Sequence, residues 1–505
     1  MCGDVRFRAA RLPGRGRSAV AARPLAAGEV VLSEQPWAVV LLPEQECCDF
    51  SLQRGERLLW CRVTGLHFAT REDQKAAADL YYKAELEAAE AGRKVRGTRG
   101  PPPWRDWPAS LRLALRALQR GVKAAEQPWQ GLESHWEELS EARQQQLEES
   151  AARCLDVLAA GLGLFGEEEV PEARQAFQAV ANVRQTAQFL AAVDVNAFTV
   201  TDEELREVGL GLYIRAAVFN HAEEPNCLQS FVGRQLVIRT CRPVPEGEEL
   251  CITYADLGQL SLRRRALLRE HFHFDVPSSQ EAEARDRILS TVLCGADSKK
   301  VQVGWDAECG LQGELAEGEC AFARDFVRKV HNQWLRAKDA RGTKVAQLQA
   351  VWLDATAGLD CRLGAGHSMR LALARELMDA CVAQELWQEA IVFAREVSAC
   401  SRLIYPPSWP MVSLSLARLA KLELFLGNFA AAIRCGEEAL HGSGTGSPTK
   451  LCWEDRRVAA EEIQQIVAQA RVEEEAMSRG YAAQEAPSSK QKALETGSTY
   501  LQSLD

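Results

Sequence analysis

The sequence predicts an α+β protein: a small β-rich core split by a long helical insertion and followed by an all-α half. Three observations carry this reading. Short apolar runs punctuated by glycine and proline fill residues 5–40 and return at about 193–258. Between them, from about Arg71 to about Ala192, Ala, Glu and Leu recur at helical spacing. From about Glu281 onward that spacing continues for nearly two hundred residues.

In chain order, Val5-Arg6-Phe7-Arg8 reads as a strand, Pro13-Gly14-Arg15-Gly16 as a turn, and Ser18-Ala19-Val20, Val30-Val31-Leu32 and Ala38-Val39-Val40 as further strands. The segment Arg23-Pro24-Leu25-Ala26-Ala27-Gly28-Glu29-Val30 has an echo at Arg242-Pro243-Val244-Pro245-Glu246-Gly247-Glu248-Glu249. Each is a turn carrying Pro and Gly between two strands. In the insertion, Asp73 to Gly92 and Ser110 to Leu118 read as helices, separated by a loop around Gly97–Trp104. Leu262 to His271 reads as a basic helix. In the C-terminal half, Trp387-Gln388-Glu389-Ala390 and Phe429-Ala430-Ala431-Ala432 repeat at an offset of 432 − 390 = 42 residues. An aromatic followed by a face of small residues resembles tetratricopeptide-like helix pairs, in which small side chains let helices approach closely. Residues 486–505 read as a flexible tail.

Composition narrows the function classes. The formal charge of −10 argues against general nucleic-acid binding, and the arginines Arg6, Arg8, Arg11, Arg15, Arg17 and Arg23 read mostly as solvated surface charge. There is no run of about eighteen apolar residues and no signal-peptide pattern at the start, so no membrane partner is expected, and the expected location is cytoplasmic or nuclear. The sixteen cysteines are scattered without a C-x-x-C pair, which favours buried free thiols over a metal or disulfide framework.

The chemistry concentrates in Asn220-His221-Ala222-Glu223-Glu224-Pro225-Asn226 and in Leu250-Cys251-Ile252-Thr253-Tyr254. Together with Asn196-Ala197-Phe198-Thr199-Val200 and Glu207-Val208-Gly209-Leu210-Gly211-Leu212-Tyr213, these segments resemble, in order and spacing, the SMYD family of SET and MYND lysine methyltransferases, over about residues 4–470. The resemblance implies a SET-type β-core with a tetratricopeptide-like C-terminal domain. It implies an S-adenosylmethionine-dependent protein-lysine N-methyltransferase acting on histone or non-histone lysines. Tyr254 matches the catalytic tyrosine. Gly14, Arg15, Gly16, His135, Asn220, His221, Tyr254 and Phe274 match the cofactor-binding positions, and Phe198 and Phe272 match the lysine channel. The implied partners are a protein bearing the target lysine and a peptide on the helical lobe.

Two departures bear on this expectation. In the MYND-like insert Cys48 and Cys61 face Ser51 and Thr64 where cysteines belong, and the post-SET zinc positions read Glu223, Val276, Ser278 and Glu281. Hydroxyls do not replace thiolates on zinc, so no metal is expected; packing by Phe272-His273-Phe274 and Val276-Pro277 is expected to hold that region instead. Phe272 also replaces a second channel tyrosine; with the lost zinc sites, this makes a catalytically weak or inactive interaction scaffold on the same fold the rival expectation. The expected domains are 1–47 and 193–258 for the SET core, 48–192 for the insertion, 259–285 for a post-SET-like segment, 286–480 for the helical domain and 481–505 for the tail.

Overall fold

The computed structural model describes residues 5–43, 45–55, 57–96, 106–162, 164, 171–178, 180–307, 310–312, 321–340, 342–407, 409–441 and 457–478. The expected loop at 97–104 and the expected tail lie outside them. The chain forms two units: Met1–Asn220 with Asn226–Ile252 and His271–His273, and His221–Pro225 with Thr253–Glu270 and Phe274–Asp505.

The first unit opens with the hairpin β1 (Phe7–Leu12) and β2 (Gly16–Ala21), in register from Phe7 opposite Ala21 to Leu12 opposite Gly16. Its tip needs left-handed backbone at Gly14 (φ 68°) and Gly16 (φ 67°), which glycine supplies without a Cβ penalty. There follow β3 (Val30–Glu34), β4 (Ala38–Leu41), and a small hairpin of β5 (Leu59–Trp60) and β6 (His67–Phe68). The insertion is helical, as its spacing predicts: α1 (Arg71–Ala77), α2 (Lys83–Arg96), α3 (Ala109–Ala124), α4 (Glu141–Gly161), α5 (Pro171–Gln178) and α6 (Val183–Asn196). Ser140 and Asn182 cap α4 and α6 by accepting the Arg143 and Gln185 amides.

The strands then resume with β7 (Ala197–Thr201), β8 (Glu207–Leu212), β9 (Asn220–His221), β10 (Cys227–Val232), β11 (Gln235–Thr240) and β12 (Cys251–Ile252). Strands from either side of the insertion pair directly. Antiparallel β4-β8-β7 and β10-β11-β3 each join an early strand to two late ones. The insertion packs its apolar faces on this sheet: Leu113 and Leu118 of α3, Leu158 of α4 and Leu190 of α6 share one core with Val40 and Leu212. The echoed turns also meet. Leu25 and Val244 exchange two backbone hydrogen bonds, 2.8 and 3.0 Å, and each turn carries the same clasp, Arg23 to Glu29 (2.5 Å) and Arg242 to Glu248 (2.6 Å).

The second unit contains α7 (Ser261–Phe272) as far as Glu270, α8 (Gln280–Ser290) and the strands β13 (Thr291–Cys294), β14 (Lys299–Gln302), β15 (Gly304–Asp306), β16 (Gly310–Gln312) and β17 (Cys361–Leu363). Strand β13 lies between β14 and β17. The helices α9 (Ala321–Lys338), α10 (Lys344–Ala357), α11 (Ser368–Ala383), α12 (Trp387–Ile404), α13 (Pro410–Phe425), α14 (Phe429–His441) and α15 (Arg457–Ser478) pack in sequence. The 42-residue echo is structural. Helices α11 and α13 end on left-handed residues 427 − 385 = 42 apart, Glu385 (φ 58°) and Gly427 (φ 76°). Each end closes with the same long bond, Leu386 N–H to Cys381 O and Asn428 N–H to Glu423 O, both 2.8 Å. Trp387 and Phe429 then open the next helices.

One close approach organises the β sheet. A Cβ on Gly211 would stand 2.6 Å from the ring of Tyr213, which is fully buried and anchored by its hydroxyl to Arg234 O at 2.6 Å. With the ring unable to move, Gly211→Ala is expected to destabilise the protein by about 1–3 kcal/mol. Urea denaturation with an unchanged midpoint would contradict this.

Candidate functional site

In the first unit, the Gly14-Arg15-Gly16 tip and β9 converge on Asn220. Its Nδ2 donates to Ser18 Oγ and Glu249 Oε1, both 2.9 Å, and lies 3.1 and 3.2 Å from the carbonyls of Arg15 and Arg17. All four neighbours are oxygen acceptors, so the amide can only present its nitrogen to them. Its Oδ1 is therefore the atom left to receive a donor. Glu249 is the hub of this cluster: it also takes the Arg15 Nε–H at 3.0 Å. Burial raises the Glu249 carboxyl pKa, but hydrogen bonds from Asn220, Arg15 and Ser18 outweigh it and hold the group below its ordinary value. Asn226 fixes the neighbouring strand, accepting the Cys251 amide at 2.8 Å and donating to Glu248 at 2.7 Å and to Glu249 O at 2.8 Å.

His135, also in the first unit, has left-handed backbone (φ 48°), and its Nδ1 lies 2.9 Å from Glu138 Oε1. Its ring stacks on His273 (φ 57°), centroids 4.9 Å apart and 25° from parallel. Two non-glycine residues held in that region mark a segment shaped by its surroundings. Phe198 stands opposite Gly211 and sets its ring edge-on to Tyr213 at 5.6 Å. Phe272 is the last residue of α7 and is partly exposed.

In the second unit, His221, Tyr254 and Phe274 form a triangle of rings. Centroids are 5.6 Å apart for His221 and Tyr254, 6.2 Å for His221 and Phe274, and 6.3 Å for Tyr254 and Phe274. His221 is 1% exposed, and its Nδ1 accepts the Tyr254 amide at 3.0 Å, so a neutral ring carries its proton on Nε2. The motif therefore brings together three of the side chains it singled out. Asn220, one residue before His221, anchors the polar cluster of the first unit.

The loop carrying His221 holds a residue pairing that sequence reasoning missed. Glu223 accepts from Arg264 Nε at 3.1 Å and from its Nη2, while Nη1 donates to Gln259 O. Arg264 is fully buried and Glu223 nearly so, at 0% and 7% exposed. Next to it, Arg285 binds Glu224 at 2.8 Å. The expected clamp of packing alone is thus corrected in part: Phe274 does pack on His221 and Tyr254, but an ion pair anchors the loop. Ser278 donates to Glu283 at 3.0 Å. In the insert, Cys48 is buried, donates to Asp73 at 3.4 Å and accepts the Ser51 amide at 3.4 Å. Among the described residues, no group of three or more His, Cys, Asp or Glu side chains is placed to hold a metal ion, and no helix is long and apolar enough to cross a membrane.

Residues 16–255 match the SET domain family. The human histone-lysine N-methyltransferase SMYD3 is 26% identical over 425 residues, covering 83% of this chain and 88% of its own length. The histone-lysine N-methyltransferase ASHR1 of Arabidopsis thaliana is 23% identical over 450 residues, covering 84% and 88%. The pig N-lysine methyltransferase SMYD2 is 23% identical over 446 residues, covering 85% and 91%. The SET domain match covers the split β core and the alignments run on through the helical half, so over most of its length this chain is similar to the SMYD lysine methyltransferases.

Proposed function

We propose that this chain is an S-adenosylmethionine-dependent protein-lysine N-methyltransferase, acting on histone or other protein lysines in the cytoplasm or nucleus. The ring triangle of His221, Tyr254 and Phe274 carries the reading, because it places the phenol of the motif beside the histidine of the motif. S-adenosylmethionine supplies an electrophilic methyl on a sulfonium. The residues present fit it: the Asn220 Oδ1 can accept from its ammonium, and the left-handed turn at Gly14 and Gly16 has open space where a Cβ would stand. By the family resemblance Phe274 stands at the position that covers the adenine ring.

The transfer requires a neutral lysine amine, whose lone pair forms the new N–C bond as the C–S bond breaks and its electrons return to sulfur. The protein contributes alignment and electrostatics rather than a covalent intermediate. Tyr254 orients the amine and the methyl. By the family resemblance Phe198 and Phe272 stand at lysine-channel positions, where apolar side chains disfavour the ammonium form of an incoming lysine. Phe272 supplies no hydroxyl, so the number of methyl groups added rests on Tyr254 alone among these three.

We further read the Glu223 position as metal-free. Its carboxylate is committed to Arg264, and a buried guanidinium beside it repels a divalent cation. The ion pair then does the work of holding the His221 loop in place.

Purified protein incubated with labelled S-adenosylmethionine and a cell lysate or histones is expected to label lysine. Tyr254→Phe is expected to lower labelling by roughly 10²-fold, of the order seen when one transition-state hydrogen-bond donor is removed, while calorimetry still shows cofactor binding. Absence of both binding and labelling in the unmodified protein would leave the scaffold reading instead; labelling unchanged in the variant would displace Tyr254 from the site.

Arg264→Met strands a buried carboxylate and is expected to cost about 3–5 kcal/mol, whereas Glu223→Gln combined with Arg264→Met costs less than the single change. A double-variant loss in chemical denaturation equal to the sum of the Glu223→Gln and Arg264→Met losses would show the pair to be uncoupled. Protein purified without added metal is expected to contain substoichiometric zinc, and a full equivalent bound at this loop overturns the metal-free assignment.

A further inference from the structure

Cys294 ends β13 and Cys361 begins β17, and the antiparallel register sets them directly opposite each other. The backbone bonds of this ladder locate the pair closely. Gly364 N–H binds Thr291 O at 2.9 Å and Gly295 N–H binds Asp360 O at 2.8 Å. Those bonds fall on the pairs 291/364 and 295/360. Hydrogen-bonded and non-hydrogen-bonded pairs alternate along an antiparallel ladder, so 294/361 is a non-hydrogen-bonded pair. In such pairs the Cα atoms approach to about 4.5 Å and the side chains lie closest, inside the roughly 4.4–6.8 Å window that a disulfide spans. The side chains agree with the backbone: the two Sγ atoms are 2.8 Å apart, closer than unbonded sulfurs rest. Cys361 is 3% exposed, while Cys294 is partly open to solvent.

We propose that Cys294 and Cys361 form a reversible dithiol that closes to a disulfide when a peroxide oxidises it, a modification site separate from the methyl-transfer site. Cys294 is the more accessible thiol. Its thiolate attacks one peroxide oxygen, the O–O bond breaks, hydroxide leaves, and Cys294 becomes a sulfenic acid. The Cys361 sulfur then attacks the Cys294 sulfur; the S–O bond breaks and the departing hydroxide takes the Cys361 proton as water. In sum, two thiols and one hydrogen peroxide give one disulfide and two waters. Burial first, and then the neighbouring Cys294, push the Cys361 thiol up to about 12, which disfavours it as the thiolate that meets peroxide first. Reduction by a small dithiol reverses the closure. The bond joins residues 67 apart in sequence and closes a loop containing α9 and α10, so it ties the two ends of that helical pair to one strand interface.

The test uses the full chain, treated with hydrogen peroxide, alkylated with iodoacetamide and digested without reductant. The expected result is a linked pair of peptides containing residues 294 and 361, lighter by two hydrogens than their sum and separated by dithiothreitol. A higher thermal midpoint for the oxidised protein is expected to accompany it, absent in Cys294→Ser and in Cys361→Ser. The proposal is overturned if both thiols remain alkylatable after peroxide, or if Cys294 is found joined to a different cysteine. Because the linkage is read in the unmodified protein, it does not depend on either variant folding.

Discussion

A carboxylate and a guanidinium withdrawn from water anchor the loop on which the site depends. Glu223 and Arg264 each carry a full charge into a region with almost no solvent contact. Either one alone would face a desolvation penalty of several kcal/mol, so losing one partner destabilises the loop more than losing both. The consequence runs along the chain. Glu223 is two residues from His221, whose Nδ1 receives the Tyr254 amide, and the two rings share a third face with Phe274. An ion pair joins two segments, the loop and α7, whereas a tetrahedral metal would gather up to four. The third segment, at Phe274, is held through ring contact.

The β unit solves a related problem with neutral donors and one carboxylate. Asn220 and Asn226 each spend an amide on fixing backbone and on the adjacent acids Glu248 and Glu249, so strand β12 and the Gly14 turn are held from one stretch of chain. The doubled clasp of Arg23 with Glu29 and Arg242 with Glu248 belongs to the same frame. Two turns of one local design bond to each other through Leu25 and Val244 and bring the early and late strands into one sheet. This lets a helical insertion of more than a hundred residues sit between strands that pair with each other.

Much of this was legible from residue types and spacing. Glycine at 14 and 16 announced a turn, the echo around Gly28 and Gly247 announced two like turns, and the 42-residue offset marked two like helix ends. Each depends on interactions within a few residues, which sequence pattern reports directly. The motif segments likewise contain His221 and Tyr254, while Phe274 came from the family resemblance. What pattern could not report was which member of Arg263-Arg264-Arg265 turns inward. All three carry the same charge on one basic helix, and only the position of Glu223, 41 residues away, singles out Arg264. Glu249 was hidden for the same reason, lying beside Glu248, which clasps Arg242. His135 was singled out as a cofactor contact, but its stacking on His273 joins residues with no shared local signal.

The sequence by itself determined the alternation of β and helical segments and the turn chemistry, because backbone preference and hydrophobic period act locally. Tertiary structure alone decided that a buried ion pair stands at Glu223, that Asn220 must present its nitrogen to four oxygens, and that Cys294 faces Cys361 across a non-hydrogen-bonded position. Those outcomes depend on strand register and on which charges lose their water together, and both are set only when distant segments pack.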